Sequence, residues 1–242
     1  MPTTALSWPV ESVCLRLTTP NPTVIAEQVY GLTCRTDFSR PGFCLITLEQ
    51  RISSVSFRRL MTDLKGALDL IHQSRTSKRL TYLSASRFNQ NLTTRPHLDG
   101  GPDECMLMLG YEPSTVKSEI EISDYSRCAY DLGITPKQFM ARYNPMFHEG
   151  LELLQPYTIR IPCFPAPGYQ LLCINNSSAA YATDRSAWQG VLHTATVQAA
   201  ARSEQRIIDS TMIASEPEGS CDLVSRSELK EFIETPDVGC WD

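Results

Sequence analysis

Apolar residues recur along this chain with two different periods. Phe57, Leu60, Met61, Leu64, Leu68 and Ile71 follow one another at steps of three and four, with Arg58, Arg59, Asp63 and Lys65 between them. That spacing predicts an amphipathic helix whose apolar stripe packs on the outside of a sheet. Before it, residues 13–18 read as a strand, Thr23 to about Leu32 as a helix, and Phe43–Leu48 as a second strand. From Arg79 onward the runs shorten and are punctuated by Gly and Pro, as in strands joined by turns. The predicted strands are Leu80–Asn89, Asn91–Thr94, Cys105–Tyr111, Pro156–Ile161, Tyr169–Asn176, Trp188–Val197 and Gln205–Ile213. About thirty residues after Pro113 read as an insertion. Within it Thr135-Pro136 starts a helix over Lys137–Arg142, and Tyr143-Asn144-Pro145 stops it. The acidic tail from Ser215 carries one short helix behind the capping box of Ser225 and Glu228.

This order predicts an α+β protein with a mainly β core, a double-stranded β-helix (jelly roll) flanked by N-terminal helices. The chain is expected to form one domain over residues 1–242. Residues 1–79 pack on the core, 80–213 form the core with an insertion at 113–150, and 214–242 form the tail. A net charge of −5 with dispersed Lys and Arg gives no footprint for nucleic acid. No apolar run approaches a membrane span, and Met1-Pro2-Thr3-Thr4 does not open a signal peptide, so neither membrane nor export is expected and the location is expected to be cytoplasmic. Nine cysteines, an odd number at irregular spacing without C-x-x-C, predict neither a disulfide framework nor a zinc site.

The candidate chemistry lies in Arg95-Pro96-His97-Leu98-Asp99-Gly100-Gly101. On an extended strand His97 and Asp99 leave the same face, offering an imidazole and a carboxylate to one ion. A second histidine from a neighbouring strand would complete two His and one carboxylate with positions left open, the set used by non-haem Fe(II) oxygenases. H-x-D alone more often marks a turn. Of the four histidines, His72 ends the outer helix and reads as solvated or interfacial. His148 lies close after Asp99 within the insertion. His193 sits in a later strand, with the intervening strands that a jelly roll needs. Arg87, Asn89 and Asn91 share one face at period two and would be polar lining if that face looks into the barrel. Asn175 is a further candidate, and Arg87 and Arg95 could meet an anionic substrate.

His97-Leu98-Asp99, then His193, then Arg206 thirteen residues on, resembles the Fe(II)/2-oxoglutarate-dependent dioxygenase superfamily over residues 80–213. The resemblance implies Fe(II) held by His97, Asp99 and His193, and 2-oxoglutarate chelated as co-substrate. Arg206 would bind the co-substrate's distal carboxylate, helped by Ser210, with Asn89 in the lining and Arg202 as a competitor for the arginine's role. Many relatives place the helping hydroxyl two residues after the arginine, where this chain has Ile208. The implied reaction is oxidation by dioxygen of a small molecule, with an amino acid or a natural-product intermediate as candidate substrates. The aromatic-rich insertion would serve as a lid. A non-catalytic cupin-like binding domain and a metal-dependent hydrolase or isomerase are the competing readings.

Overall fold

The structure is a computed structural model that describes residues 8–19, 21–198 and 203–240. Its strands are β1 (Cys14–Leu17), β2 (Phe43–Leu48), β3 (Lys78–Asn89), β4 (Cys105–Tyr111), β5 (Ser118–Ser123), β6 (Thr158–Arg160), β7 (Gln170–Asn175), β8 (Leu192–Val197), β9 (Ile207–Pro217) and β10 (Gly239–Cys240). Its helices are α1 (Val10–Val13), α2 (Ala26–Thr33), α3 (Ser54–Thr76), α4 (Tyr125–Asp131), α5 (Pro136–Arg142), α6 (His148–Leu154) and α7 (Arg226–Glu234). A seven-stranded sheet runs β1-β2-β7-β4-β9-β3-β10, and a three-stranded sheet runs β6-β5-β8. The interior pairings of both sheets are antiparallel, with β1 and β10 joining the large sheet in parallel.

The large sheet is buried on both faces, which explains the uninterrupted apolar run of Cys105–Tyr111. Met106 and Met108 turn to the helices, where Phe57, Leu60, Met61, Leu64 and Leu68 of α3 are fully buried, as their spacing predicts. Gly110 lets α3 come this close, since a Cβ there would lie 2.6 Å from the Phe57 ring. Leu107 and Leu109 turn the other way and pack with Phe43, Leu45, Leu172 and Ile174 against Ile120 and Ile122 of the small sheet. The site lies between the two sheets.

Several predicted boundaries shift. β1 and β2 are members of the large sheet, and Phe232 of α7 is part of its helix-side core, so neither end is a mere flank. The predicted insertion contains β5, whose alternating Ser-Glu-Ile-Glu-Ile-Ser buries Ile120 and Ile122 and turns Glu119 outward to Arg160. Residues 91–94 form no strand. The helix started by Thr135-Pro136 and that behind Ser225 both form, each with its capping box closed. Cys14 and Cys163 form a disulfide across 149 residues, against expectation: the fold brings them together, and sequence spacing carries no trace of it. Among the described residues no helix is long and apolar enough to cross a membrane.

His72 is buried rather than solvated. Its Nδ1 meets the Tyr30 hydroxyl at 2.8 Å and its Nε2 meets the Ser215 hydroxyl at 3.0 Å, with the Trp188 ring edge-on. Burial holds its pKa down at about 4, only partly countered by Asp69 and Glu104. The unfolded histidine takes up its proton near pH 6.5, so the unfolded state binds more protons between that value and about 4. Stability is therefore whole above about pH 6.5 and falls on acidification by on the order of 2 kcal/mol from this group. Chemical denaturation across that window should show the loss. His72→Gln, which has no proton to take up, should flatten that part of the slope.

One further cluster ties α3 to the sheet. Arg58 is fully buried, 3.6 Å from Asp209 and 3.5 Å from Glu112, and it donates to the carbonyls of Ile233 and Thr235 at the end of α7. Arg87 reaches the same group, 3.1 Å from Glu112 and hydrogen-bonded to Ser54. Burial, reinforced by the Glu112 charge, pushes the Asp209 carboxyl up to about 8.

Candidate metal centre

His97, Asp99 and His193 converge, their ligand atoms lying within 4.8 Å of one another. His193 stands in β8, and His97 pairs with it through a lone antiparallel bridge, each N–H donating to the other's carbonyl at 3.2 Å. This juxtaposition sets the imidazoles side by side, ring centroids 4.2 Å apart. Asp99 spans them, with Oδ1 3.5 Å from His97 Nε2 and Oδ2 4.0 Å from His193 Nε2. The Nδ1–H of His97 donates to the Arg95 carbonyl at 2.6 Å, which leaves the Nε2 lone pair directed at Asp99. His193 Nδ1 is buried without a partner among the described residues.

Extended-strand geometry is not what holds His97 and Asp99, because the segment is a loop. Asn176, buried at the end of β7, does the work instead. Its Oδ1 accepts the Asp99 N–H at 3.1 Å and its Nδ2 donates to the Asp99 carbonyl at 2.8 Å. Upstream of β8, Gly190 is packed so tightly that a Cβ would lie 2.0 Å from the Ser177 carbonyl oxygen. Arg35 donates to the Gln189 carbonyl at 2.8 Å and pairs with buried Asp124, fixing the approach to His193. Asn176→Ala is expected to lower metal affinity about 10- to 100-fold, the usual cost of losing a group that orients a ligand. Titration of Fe(II) under anaerobic conditions measures it.

The electrostatics favour a cation. Burial disfavours charge on both histidines. At His193 the neighbouring His97 adds to it, and the pKa falls to about 4 despite Asp99, so this imidazole keeps its lone pair at neutral pH. At His97 burial is outweighed by Asp99 and the carbonyls of Arg95 and His193, and the pKa rises. Burial would raise the Asp99 carboxyl, but the two imidazoles overcome it and hold it below the ordinary carboxylate value. Two neutral-capable imidazoles and one carboxylate suit a divalent first-row metal.

The three side chains stand in the wall of a cavity of about 570 Å³ between the sheets. Phe88, Leu98, Leu107, Leu109, Ile208 and Met212 give it apolar walls, and Ser84, Ser86, Gln90, Thr94 and Ser210 give it neutral polar ones. Tyr111 and Gln90 lead to Arg206. Its guanidinium lies over the Tyr111 ring at 5.0 Å, donates from Nε to Ser118 at 3.1 Å and from Nη1 to Gln90 Oε1 at 3.2 Å. Nη2 is buried with no hydrogen-bond partner, and no carboxylate of the described residues pairs with this cation.

Other predicted residues fall elsewhere. Asn89 does not face the cavity; its Oδ1 accepts the Arg206 N–H at 2.9 Å, so it seats the arginine's backbone and not a ligand. Ser210 does line the cavity, but four residues along β9 put its Cα about 13 Å from that of Arg206, too far for a hydroxyl to share one carboxylate with it. Arg87 faces α3, and Asn91 donates to the Glu204 carbonyl. The reversal has a cause. Leu80 and Tyr82 face the helices, and strict alternation from them would send Arg87 and Asn89 into the cavity. An extra residue between Tyr82 and Ser84 breaks the register with β9, and Ser84, Ser86 and Phe88 turn inward instead. Asn175 is spent on the Thr33 carbonyl and the Ser177 N–H. Arg95 donates to the Met146 carbonyl, and Leu98 packs with the α4–α6 cluster, so the predicted lid region does abut the metal segment. His148 is exposed and faces Glu152. Arg202 lies outside the described residues. Gln90, Tyr111, Ser118 and Asn176 have no sequence signal that would single them out.

The sequence matches no family model and no curated protein. Among solved structures the chain is similar to the Kdo hydroxylase KdoO, described as a non-heme Fe(II) alphaketoglutarate dependent dioxygenase. The cobalt(II) complex is 10% identical over 84% of this chain and 89% of that one, with a TM-score of 0.41. The complex with alphaketoglutarate and Fe(III) is 11% identical over the same shares, with a TM-score of 0.38.

Proposed function

We propose that this chain is an Fe(II)- and 2-oxoglutarate-dependent oxygenase on a jelly-roll core, hydroxylating or otherwise oxidising a small molecule with dioxygen. One observation carries the reading: two imidazoles and a carboxylate meet in the wall of the cavity between the sheets, and a buried arginine with an unused N–H stands beyond its Tyr111 end. His97, Asp99 and His193 would hold the iron. Arg206 would take the distal carboxylate of the keto acid, a match of planar fork to planar anion that also neutralises an otherwise unpaired buried cation. Ser118 and Gln90 hold the guanidinium, and Tyr111 supports it from one face. The bound metal would supply dioxygen activation coupled to decarboxylation of the keto acid. Phe88, Leu107, Leu109 and Ile208 keep the space around it poor in water.

Anaerobic reconstitution with Fe(II) and 2-oxoglutarate should give the weak visible charge-transfer band of the chelate, and admission of dioxygen should yield succinate. Arg206→Ala should weaken 2-oxoglutarate binding roughly 30-fold or more, as expected when one member of a buried charge pair is removed, while Fe(II) affinity stays the same. Turnover of a substrate under nitrogen without succinate would instead favour a Lewis-acid hydrolase or isomerase.

A further inference from the structure

Resting on that reading, a second property of the cavity concerns the molecule to be oxidised. Its ionic groups are few: the triad, committed to the metal, and Arg206 beyond Tyr111, committed to the keto acid. The other two arginines near this segment are unavailable. Arg87 is on the opposite face of β3 with Glu112 and Ser54, and Arg95 is exposed outside the cavity, bonded to the Met146 carbonyl. What remains along the β3–β9 side is a set of hydroxyls. Ser86 and Ser210 are direct register partners on adjacent strands, so their side chains stand next to each other, and Ser84 continues the set one step along. Among the described residues, none of these hydroxyls has a hydrogen bond to a charged side chain that would pre-empt it. Ser84 and Ser86 are exposed and border both this cavity and a neighbouring groove along α7 that carries Glu228, Glu231 and Asp237.

A carboxylate or ammonium brought into this space would lose its hydration and find no free counter-charge among the described side chains of the lining, whereas a neutral amide or hydroxyl would find both donors and acceptors. We propose that the part of the primary substrate that enters the cavity is uncharged and carries a hydroxyl or carboxamide, read by Ser86 and Ser210. The serines thus determine specificity, and any charged end of the substrate stays outside the opening. This replaces the expectation of an arginine-bound amino acid carboxylate.

The test uses three probes of one chain length, hexanamide, hexanoate and hexylammonium. Each is titrated into the full chain loaded with Zn(II) and 2-oxoglutarate and followed by ligand-observed NMR. Hexanamide should bind, with both ions at least about tenfold weaker, and Ser86→Ala or Ser210→Ala should weaken the amide about 3- to 10-fold, the range for one neutral hydrogen bond. Ser86→Thr, which retains the hydroxyl, should restore most of it. Equal or tighter binding of either ion overturns the proposal. So does amide binding that the alanine variants leave untouched, or no amide binding at millimolar concentration. Melting curves of the variants show that they fold. Zn(II) and 2-oxoglutarate affinities measured in the same samples separate failure of this proposal from failure of the metal-site reading.

Discussion

His193→Ala should lose Fe(II) affinity by roughly two orders of magnitude or more, beyond what is lost with an orienting neighbour, while the metal-free protein melts within a few degrees of the parent. The two outcomes separate because the imidazole holds no hydrogen bond at Nδ1 to lose, and its backbone pairing with His97 survives truncation. The burial that makes it a poor proton acceptor leaves its lone pair free for a metal. His148→Ala should change neither quantity, because that side chain is exposed and meets only Glu152. Anaerobic Fe(II) titration and calorimetry decide it. Full iron affinity in the His193 variant would remove the triad from consideration.

Arg58→Met should cost about 3–5 kcal/mol, the range seen when one member of a buried charge cluster is removed. For a chain of this length that lowers the melting midpoint by roughly 10 °C. Several losses add up. Asp209 is fully buried, its oxygens have no hydrogen-bond donor, and Arg58 and Arg87 are the cations within reach. Two carbonyls at the end of α7 lose their donor as well, and with them the clamp that holds α7 on α3. Adding Asp209→Asn to Arg58→Met should recover part of the loss at alkaline pH, above the value of about 8 at which the Asp209 carboxyl ionises and its charge would stand uncompensated. A variant that melted like the parent would show that the cluster's charges offset one another so nearly that none is needed.

The parts of this molecule legible in its sequence are those where one local pattern decides the outcome. The stripe from Phe57 to Ile71 can only bury one face of a helix, and Cys105–Tyr111, apolar throughout and bounded by turn residues, reads as a strand. The triad was legible for a related reason: few histidines were available, and only His193 had enough strands before it. Residues whose role depends on a distant partner were not legible. Asn176 matters because a loop more than seventy residues earlier passes beside it, whereas its neighbour Asn175, equally conspicuous in sequence, is occupied with α2. His72 reads from sequence as the solvated or interfacial end of an outer helix, because nothing nearby in sequence announces Tyr30, Trp188 and Ser215 above it. β5 was a different kind of miss. Its alternation is plain, but it lies among short helices and was grouped with them.

The single extra residue between Tyr82 and Ser84 has a consequence for how such cavities change over time. It lets one strand present Leu80 and Tyr82 to the helix layer and then switch hands, so that serines, not an arginine, border the opening. The electrical character of the cavity is thus stored in a backbone irregularity rather than in any side chain. Smoothing that kink at constant length would import a cation and export the hydroxyls with no substitution at either, and aligning this strand column by column with a regular one would pair residues that look in opposite directions.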